Sequence, residues 1–118
     1  MPRNPQLNSE LGRAYFGLQD YPKARTFFKA STEIAPLKEM NWGLLGLCYS
    51  LDSQAEKSVE YFLKAIELES QPGPFRLQLA TVLEQLGRIA EAIEYYRKAT
   101  ENEFNRAFAL EQLERLQS

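Results

Sequence analysis

Trp42-Gly43-Leu44-Leu45-Gly46-Leu47-Cys48-Tyr49 is the stretch that decides the fold. Trp42, Leu45 and Tyr49 step by three and four residues, the period of one helix face, with Gly46 beside them. The same element stands 34 residues earlier as Leu11-Gly12-Arg13-Ala14-Tyr15, and 34 residues later as Leu79-Ala80-Thr81-Val82-Leu83. A second mark keeps step with it: Ala24, Phe28 and Ser31, then Ser58, Phe62 and Ala65, then Ala92, Tyr96 and Ala99. Two marks sharing one period across three copies indicate stacked supersecondary units, each too small to bury its own apolar face.

Each unit divides into two amphipathic segments joined by a short break. Leu7, Leu11, Ala14, Tyr15 and Leu18 give the first helical stripe, and Asp20-Tyr21-Pro22 interrupts it. Asp20 is placed to cap the next helix and Pro22 is tolerated in a first turn. Pro36 closes that helix. In the second unit the break is Leu51-Asp52-Ser53, where Ser53 and Glu56 have the spacing of a capping box. Gln71-Pro72-Gly73-Pro74 ends the fourth segment, and Gly87 supplies the third turn. Gly12, Gly46 and Ala80 stand where Phe28, Phe62 or Tyr96 of the paired helix must approach closely. A larger residue there would push the pair apart. From Asn105 onward Phe108, Leu110, Leu113 and Leu116 mix with charged residues, as expected of a terminal helix that caps the stack. The reading is seven helices in an all-α fold.

A chain of 118 residues suggests one domain. Its net charge of −2 argues against a dedicated nucleic-acid binder. Lys23, Arg25 and Lys29, like Arg97 and Lys98, alternate with apolar residues and read as solvated helix faces. The single cysteine, Cys48, forms no internal disulfide and sits in an apolar stretch, as a small buried residue would. Met1 to Gln6 is polar and proline-containing, unlike a signal peptide, and Trp42 to Tyr49 is too short to span a bilayer. A soluble cytoplasmic protein without membrane insertion is expected, although excision from a longer or exported chain would leave no trace.

These residues resemble the tetratricopeptide repeat (TPR), a 34-residue helix–turn–helix unit. Trp42, Leu45, Gly46 and Tyr49 reproduce its first-helix signature, Ala92, Tyr96 and Ala99 its second, and Leu86-Gly87 its turn. The first unit contributes Leu11, Gly12, Tyr15, Ala24, Phe28 and Pro36. Asn8 and Arg76 replace the aromatic that opens a repeat, and Ser31 and Ser58 replace alanine. Ser70 and Phe104 replace proline, and Asp52-Ser53 replaces leucine-glycine, leaving that turn's geometry open. The resemblance implies a right-handed α-solenoid in one domain: repeats at 5–38, 39–72 and 73–106, with a capping helix at 107–118.

It also implies a groove lined by the first helix of each pair that holds a protein or peptide partner. Carried over position by position, the first unit supplies Arg13 and Phe16, with Gln6, Ser9 and Gly17 alongside. The second supplies Met40, Gly43, Leu47 and Leu51, with Ser50. The third supplies Leu77, Thr81 and Glu84, flanked by Pro74 and Gln85. The apolar centre of that lining suits an amphipathic helix or an extended apolar peptide, and Phe16 and Leu47 are expected to be its most reachable residues. One subclass of the family grips terminal carboxylates of chaperone tails with basic and amide side chains. The matching positions here are Ser9, Arg13, Leu44, Pro74 and Gln78, of which Arg13 alone is basic, so that clamp is not expected.

Catalysis is not expected. There is no histidine, and one cysteine makes neither a thiol–base pair nor a zinc site. No phosphate-cradling glycine motif occurs. Gly43-Leu44-Leu45-Gly46 lies inside a helical stripe, and Glu67/Glu69 and Glu111/Glu114 read as solvated faces. No cofactor or metal is implied. Two other functions fit the same architecture. One is a self-associating structural module, a homodimer pairing Phe104, Phe108 and Leu110 across a two-fold axis. The other is a small chaperone that shields a secreted or assembly subunit, as some small members of the family do.

Overall fold

The computed structural model describes residues 3–118; Met1 and Pro2, the first residues of the polar start noted above, lie outside them. Among the described residues there are seven α-helices: α1 (Pro5–Gly17), α2 (Tyr21–Ile34), α3 (Glu39–Leu51), α4 (Ala55–Leu68), α5 (Phe75–Gln85), α6 (Ile89–Ala99) and α7 (Arg106–Gln117). The fold is all-α, as the sequence period predicts. The helices pack as two compact units, Met1–Leu68 and Glu69–Ser118. In the first, α1 packs on α2, α2 on α3 and α3 on α4; in the second, α5 packs on α6 and α6 on α7.

The small residues do the work expected of them. A Cβ added to Gly12 would stand 2.6 Å from Phe28 Cε1, and one added to Gly46 would stand 2.7 Å from Phe62 Cδ1. Both lie far inside the ~3.5–4.0 Å of ordinary carbon–carbon contact. Phe28 and Phe62 are fully buried; in the second unit Ala80, also fully buried, takes the place of the glycine and Tyr96 that of the phenylalanine.

The three turns share one geometry despite their different sequences. Gln19, Ser53 and Gly87, 34 residues apart, all take positive φ, at 62°, 60° and 78°. Each turn is closed by the same backbone hydrogen bond: Asp20 N–H to Tyr15 O at 3.0 Å, Gln54 N–H to Tyr49 O at 2.8 Å, and Arg88 N–H to Leu83 O at 2.8 Å. This six-to-one bond spanning a left-handed residue ends the helix and reverses the chain. The capping box expected at Ser53 and Glu56 is therefore corrected: Ser53 is the left-handed residue of the turn, and α4 begins two positions later at Ala55. Asp20 does cap α2, accepting from Lys23 N–H at 3.2 Å, and Asn4 caps α1 through Gln6 N–H at 2.9 Å.

Where the repeat pattern is broken, local polar partners take over. Ser31 Oγ donates to Pro5 O at 2.6 Å and Ser58 Oγ to Ala55 O at 2.7 Å, so both buried hydroxyls are satisfied. Asn8, fully buried in place of an aromatic, donates from Nδ2 to Asn4 O at 3.1 Å. Trp42 donates from its indole to Pro36 O at 2.8 Å and stacks on Tyr61, which in turn stacks on Tyr49 at 5.1 Å. Arg25 caps that stack 4.8 Å above the Tyr49 ring and bonds Asp52 at 2.6 Å, holding the Asp52 carboxyl below the usual carboxylate range.

Arg76 donates from Nε to Glu69 Oε1 at 2.7 Å and from Nη1 to Glu101 at 2.8 Å, while Gly73 N–H donates to Glu69 Oε2 at 3.1 Å. The expectation that Glu69 belongs to a solvated pair with Glu67 is thus corrected: the Glu69 side chain is 6% exposed and paired, and only Glu67 is open to water at 71%. In α7 the seated residues are Ala109 and Leu113, whereas Phe108 and Leu110 are exposed. The expected capping stripe is accordingly narrower than the sequence suggested.

Three outcomes follow from this packing. Gly46→Ala should lower stability by about 1–2 kcal/mol in urea titration, although alanine is the better helix former by about 1 kcal/mol. Gly17→Ala, where the added Cβ meets nothing within 4 Å, should show no such loss. Gln19→Gly and Ser53→Gly should each raise stability by about 1 kcal/mol by relieving left-handed backbone, read as higher melting temperatures. Cys48 is buried and its thiol is pushed up to about 12, chiefly by that burial. It stays protonated at pH 8, so a thiol reagent should label it only on unfolding.

Candidate functional site

The candidate lining carried over from the family falls on α1 and α3 in the first unit and on α5 in the second. On α1, Gln6, Ser9, Arg13 and Phe16 follow one another at three- and four-residue steps and share a side. Arg13 is exposed; Phe16 is half-buried, its ring edge-on to Tyr21 at 5.6 Å and packed on the core of Ala24, Phe28, Leu45, Cys48 and Tyr49. On α3, Met40 and Leu51 are 41% and 52% exposed, Leu47 is half-buried and Gly43 buried. The apolar residues most open to a partner are therefore Met40 and Leu51, ahead of Phe16 and Leu47. Packing within the unit, invisible to a position-by-position carry-over, makes the difference.

In the second unit Leu77 and Thr81 are half-buried, and Thr81 Oγ1 donates to Leu77 O at 3.1 Å. Glu84, carried over as part of the lining, is engaged within its own unit. Tyr96 OH donates to its Oε1 at 2.9 Å, and Arg115 of α7 donates to both carboxylate oxygens at 2.7 and 2.8 Å. Burial and, after it, the neighbouring Glu84 carboxylate push the Tyr96 phenol upward. Glu84 thus fastens the last helix to α5 and α6 before it can serve any partner.

Of the chaperone-tail positions, Leu44 packs on the core cluster and Ser9 is hydrogen-bonded within the unit. A different polar group forms beside them. Gln6, Ser9, Arg13, Lys38, Met40 and Asn41, with Pro5, line a cleft of about 190 Å³ at the N-terminal ends of α1 and α3. Lys38 and Asn41 were not among the residues singled out from sequence. They lie 29 and 32 positions from Ser9, Lys38 just before α3 and Asn41 in its first turn, and no motif joins them to it. The lining contains no carboxylate or imidazole to serve as a base, so its hydroxyl has no activating partner. Among the described residues no three histidine, cysteine or acidic side chains are grouped to hold a metal, and no helix is long and apolar enough to cross a membrane.

Comparison with known proteins agrees with this architecture. The tetratricopeptide repeat model matches residues 5–36, 41–72 and 74–106. The peroxisomal targeting signal receptor of Kluyveromyces lactis is 24% identical over 91 residues, which are 77% of this chain but only 16% of that receptor. The chain therefore spans under a fifth of the curated relatives it matches. Among solved structures, the Yersinia enterocolitica type III secretion chaperone SycD, bound to a peptide of the translocator YopD, superposes with a TM-score of 0.90 at 18% identity. That match covers 99% of this chain and 95% of the other. The TPR2B domain of yeast Sti1, in complex with an Hsp70 peptide, gives 0.84 at 19% identity over 95% and 91% of the two chains. At such identities the likeness establishes the fold. The 34-residue period, the paired helices and three family matches covering most of the sequence lead to one conclusion: this chain belongs to the tetratricopeptide repeat family.

Proposed function

We propose that this protein is a non-catalytic interaction module that docks a peptide or helix of a partner protein on its first-helix faces. The observation that carries the reading is the exposed apolar pair Met40 and Leu51 on α3, a helix whose other side is wholly committed to the core. A helix packed on one side and apolar on the other lacks a solvent-compatible face, and a partner would supply the missing cover. The peptide-bound neighbours SycD and Sti1 support the same use of this fold. In the first unit Arg13, Phe16, Met40, Gly43, Leu47 and Leu51 form the proposed lining. In the second, Leu77 and Thr81 serve, and Glu84 contributes structurally through Arg115. The repeats at 5–38, 39–72 and 73–106 with a cap at 107–118 form, in this reading, a single domain.

Self-association is the second reading, favoured by the exposure of Phe104, Phe108 and Leu110 at 88%, 49% and 53%. Exposed apolar residues this close together in the second unit are ones a symmetric dimer would cover. A small chaperone for a secreted or assembly subunit is compatible with either. No nucleic acid and no cofactor enters this reading, and a cytoplasmic setting is part of it.

Affinity capture from native lysate with wild type and Met40→Glu/Leu51→Glu tests the leading reading, with circular dichroism confirming that both are folded. A partner retained by wild type should be reduced tenfold or more by the variant. Equal retention, together with mass that rises with concentration, would transfer the function to the Phe104–Leu110 end.

A further inference from the structure

The cleft lined by α1 and the start of α3 gathers cations without an acid. The protein carries a net charge of −2, yet the charged residues of this cleft are Arg13 and Lys38, with no acid among its lining. Arg25, Arg76, Arg88 and Arg115 are each paired with a carboxylate. Arg13 and Lys38 are exposed and make no ion pair with the described residues. Two cations sharing a concavity repel one another, and a bound anion removes that repulsion.

The floor of the cleft is built and fixed. Asn41 is 4% exposed, and its Oδ1 accepts from Ser9 Oγ at 2.6 Å, a separation suited to an O–H···O bond. Ser9 also lies 3.2 Å from Ser31 Oγ, whose proton goes to Pro5 O at 2.6 Å. This network orients the Asn41 amide and leaves its Nδ2 with no hydrogen bond to the described chain. A nearly buried amide donor, with two unpaired cations around it, is complementary to a carboxylate. Met40 connects the cleft with the apolar side of α3. Leu47 and Leu51 follow seven and eleven residues further along the helix, about 10 and 16 Å at its rise per residue.

We infer that this cleft binds an acidic side chain of the partner peptide, received by Arg13, Lys38 and Asn41, while the apolar residues of that peptide lie along Leu47 and Leu51. The inference rests on the docking reading above and specifies its ligand: a peptide with a glutamate or aspartate about 10–16 Å from an apolar anchor. That separation corresponds to about three to five residues in an extended peptide and about seven to eleven in a helix. Of the five positions of the chaperone-tail clamp, Ser9 and Arg13 alone take part; Lys38 and Asn41 lie outside it.

The test is selection of random twelve-residue displayed peptides on the full chain. Affinities of acetylated, amidated synthetic copies are then measured by fluorescence anisotropy. Enriched peptides should contain an acidic residue, and changing it to its amide should weaken binding tenfold or more. Arg13→Glu/Lys38→Glu, both exposed positions, should produce the same loss, and the loss should shrink in 0.5 M salt, where the Debye length is only a few ångströms (~4 Å). Peptides weakened by Leu51→Glu but indifferent to Arg13→Glu/Lys38→Glu would overturn this assignment and leave the docking reading standing. Peptides that bind only with a free C-terminus would overturn it too, assigning the cleft a chain end. Peptides indifferent to all these substitutions, or no enrichment at all, would remove both readings together.

Discussion

The approach of an aromatic ring to a glycine Cα that carries no side chain governs the packing of the first two helix pairs. Phe28 over Gly12 and Phe62 over Gly46 bring the two helices of a pair so close that no side chain fits between ring and backbone. That closeness fixes which residues of each helix face inward, and hence which face outward. Ala24, Leu45, Cys48 and Ala65 close in around the rings with no exposure at all. The outward faces of α1 and α3, including Arg13, Met40 and Leu51, are what this contact leaves over. The surface proposed for a partner is thus what the packing of the helix pairs leaves uncovered.

The turns apply a second constraint of the same kind. Each pair needs a reversal of fixed shape, and the left-handed residue at Gln19, Ser53 and Gly87 provides it. Only the third position carries the residue suited to that backbone. The other two hold the same conformation because the amide bonds from Asp20 and Gln54 back to Tyr15 and Tyr49 enforce it. In the first unit the second turn is further secured by Arg25, which links Asp52 to the Tyr49–Tyr61–Trp42 stack. Tertiary context here overrides a local preference worth about a kilocalorie per mole.

Departures from the repeat pattern show where individual chemistry enters. The aromatic that opens a repeat is kept as Trp42 but replaced by Asn8 and Arg76. The three side chains hold their segments in three ways: an indole bond to Pro36, an amide bond to Asn4, and a guanidinium fork onto Glu69 and Glu101. Glu84 is a comparable case, a carboxylate on the candidate face whose oxygens serve Tyr96 and Arg115. Such groups look available in a list of residues and are committed in space. Arg13 and Lys38 are the reverse, ordinary surface cations in sequence that come to line one cleft.

By itself the sequence determined the all-α architecture, the seven helices, the pairing of Gly12 with Phe28 and Gly46 with Phe62, and the glycine turn at Gly87. All of these follow from periodicity and local sterics, which are written in residue spacing. The candidate lining on the first helices came from the resemblance to the repeat family, carried over position by position, and not from periodicity alone. Only the tertiary structure decided that Met40 and Leu51 are more open than Phe16 and Leu47, that Ser53 turns the chain instead of capping α4, and that Glu69 and Glu84 are paired. It alone assembled Ser9, Arg13, Lys38 and Asn41 into one cleft. The physical reason is range: helix periodicity acts over four residues, whereas exposure, ion pairing and clefts depend on contacts between side chains some 7 to 32 positions apart.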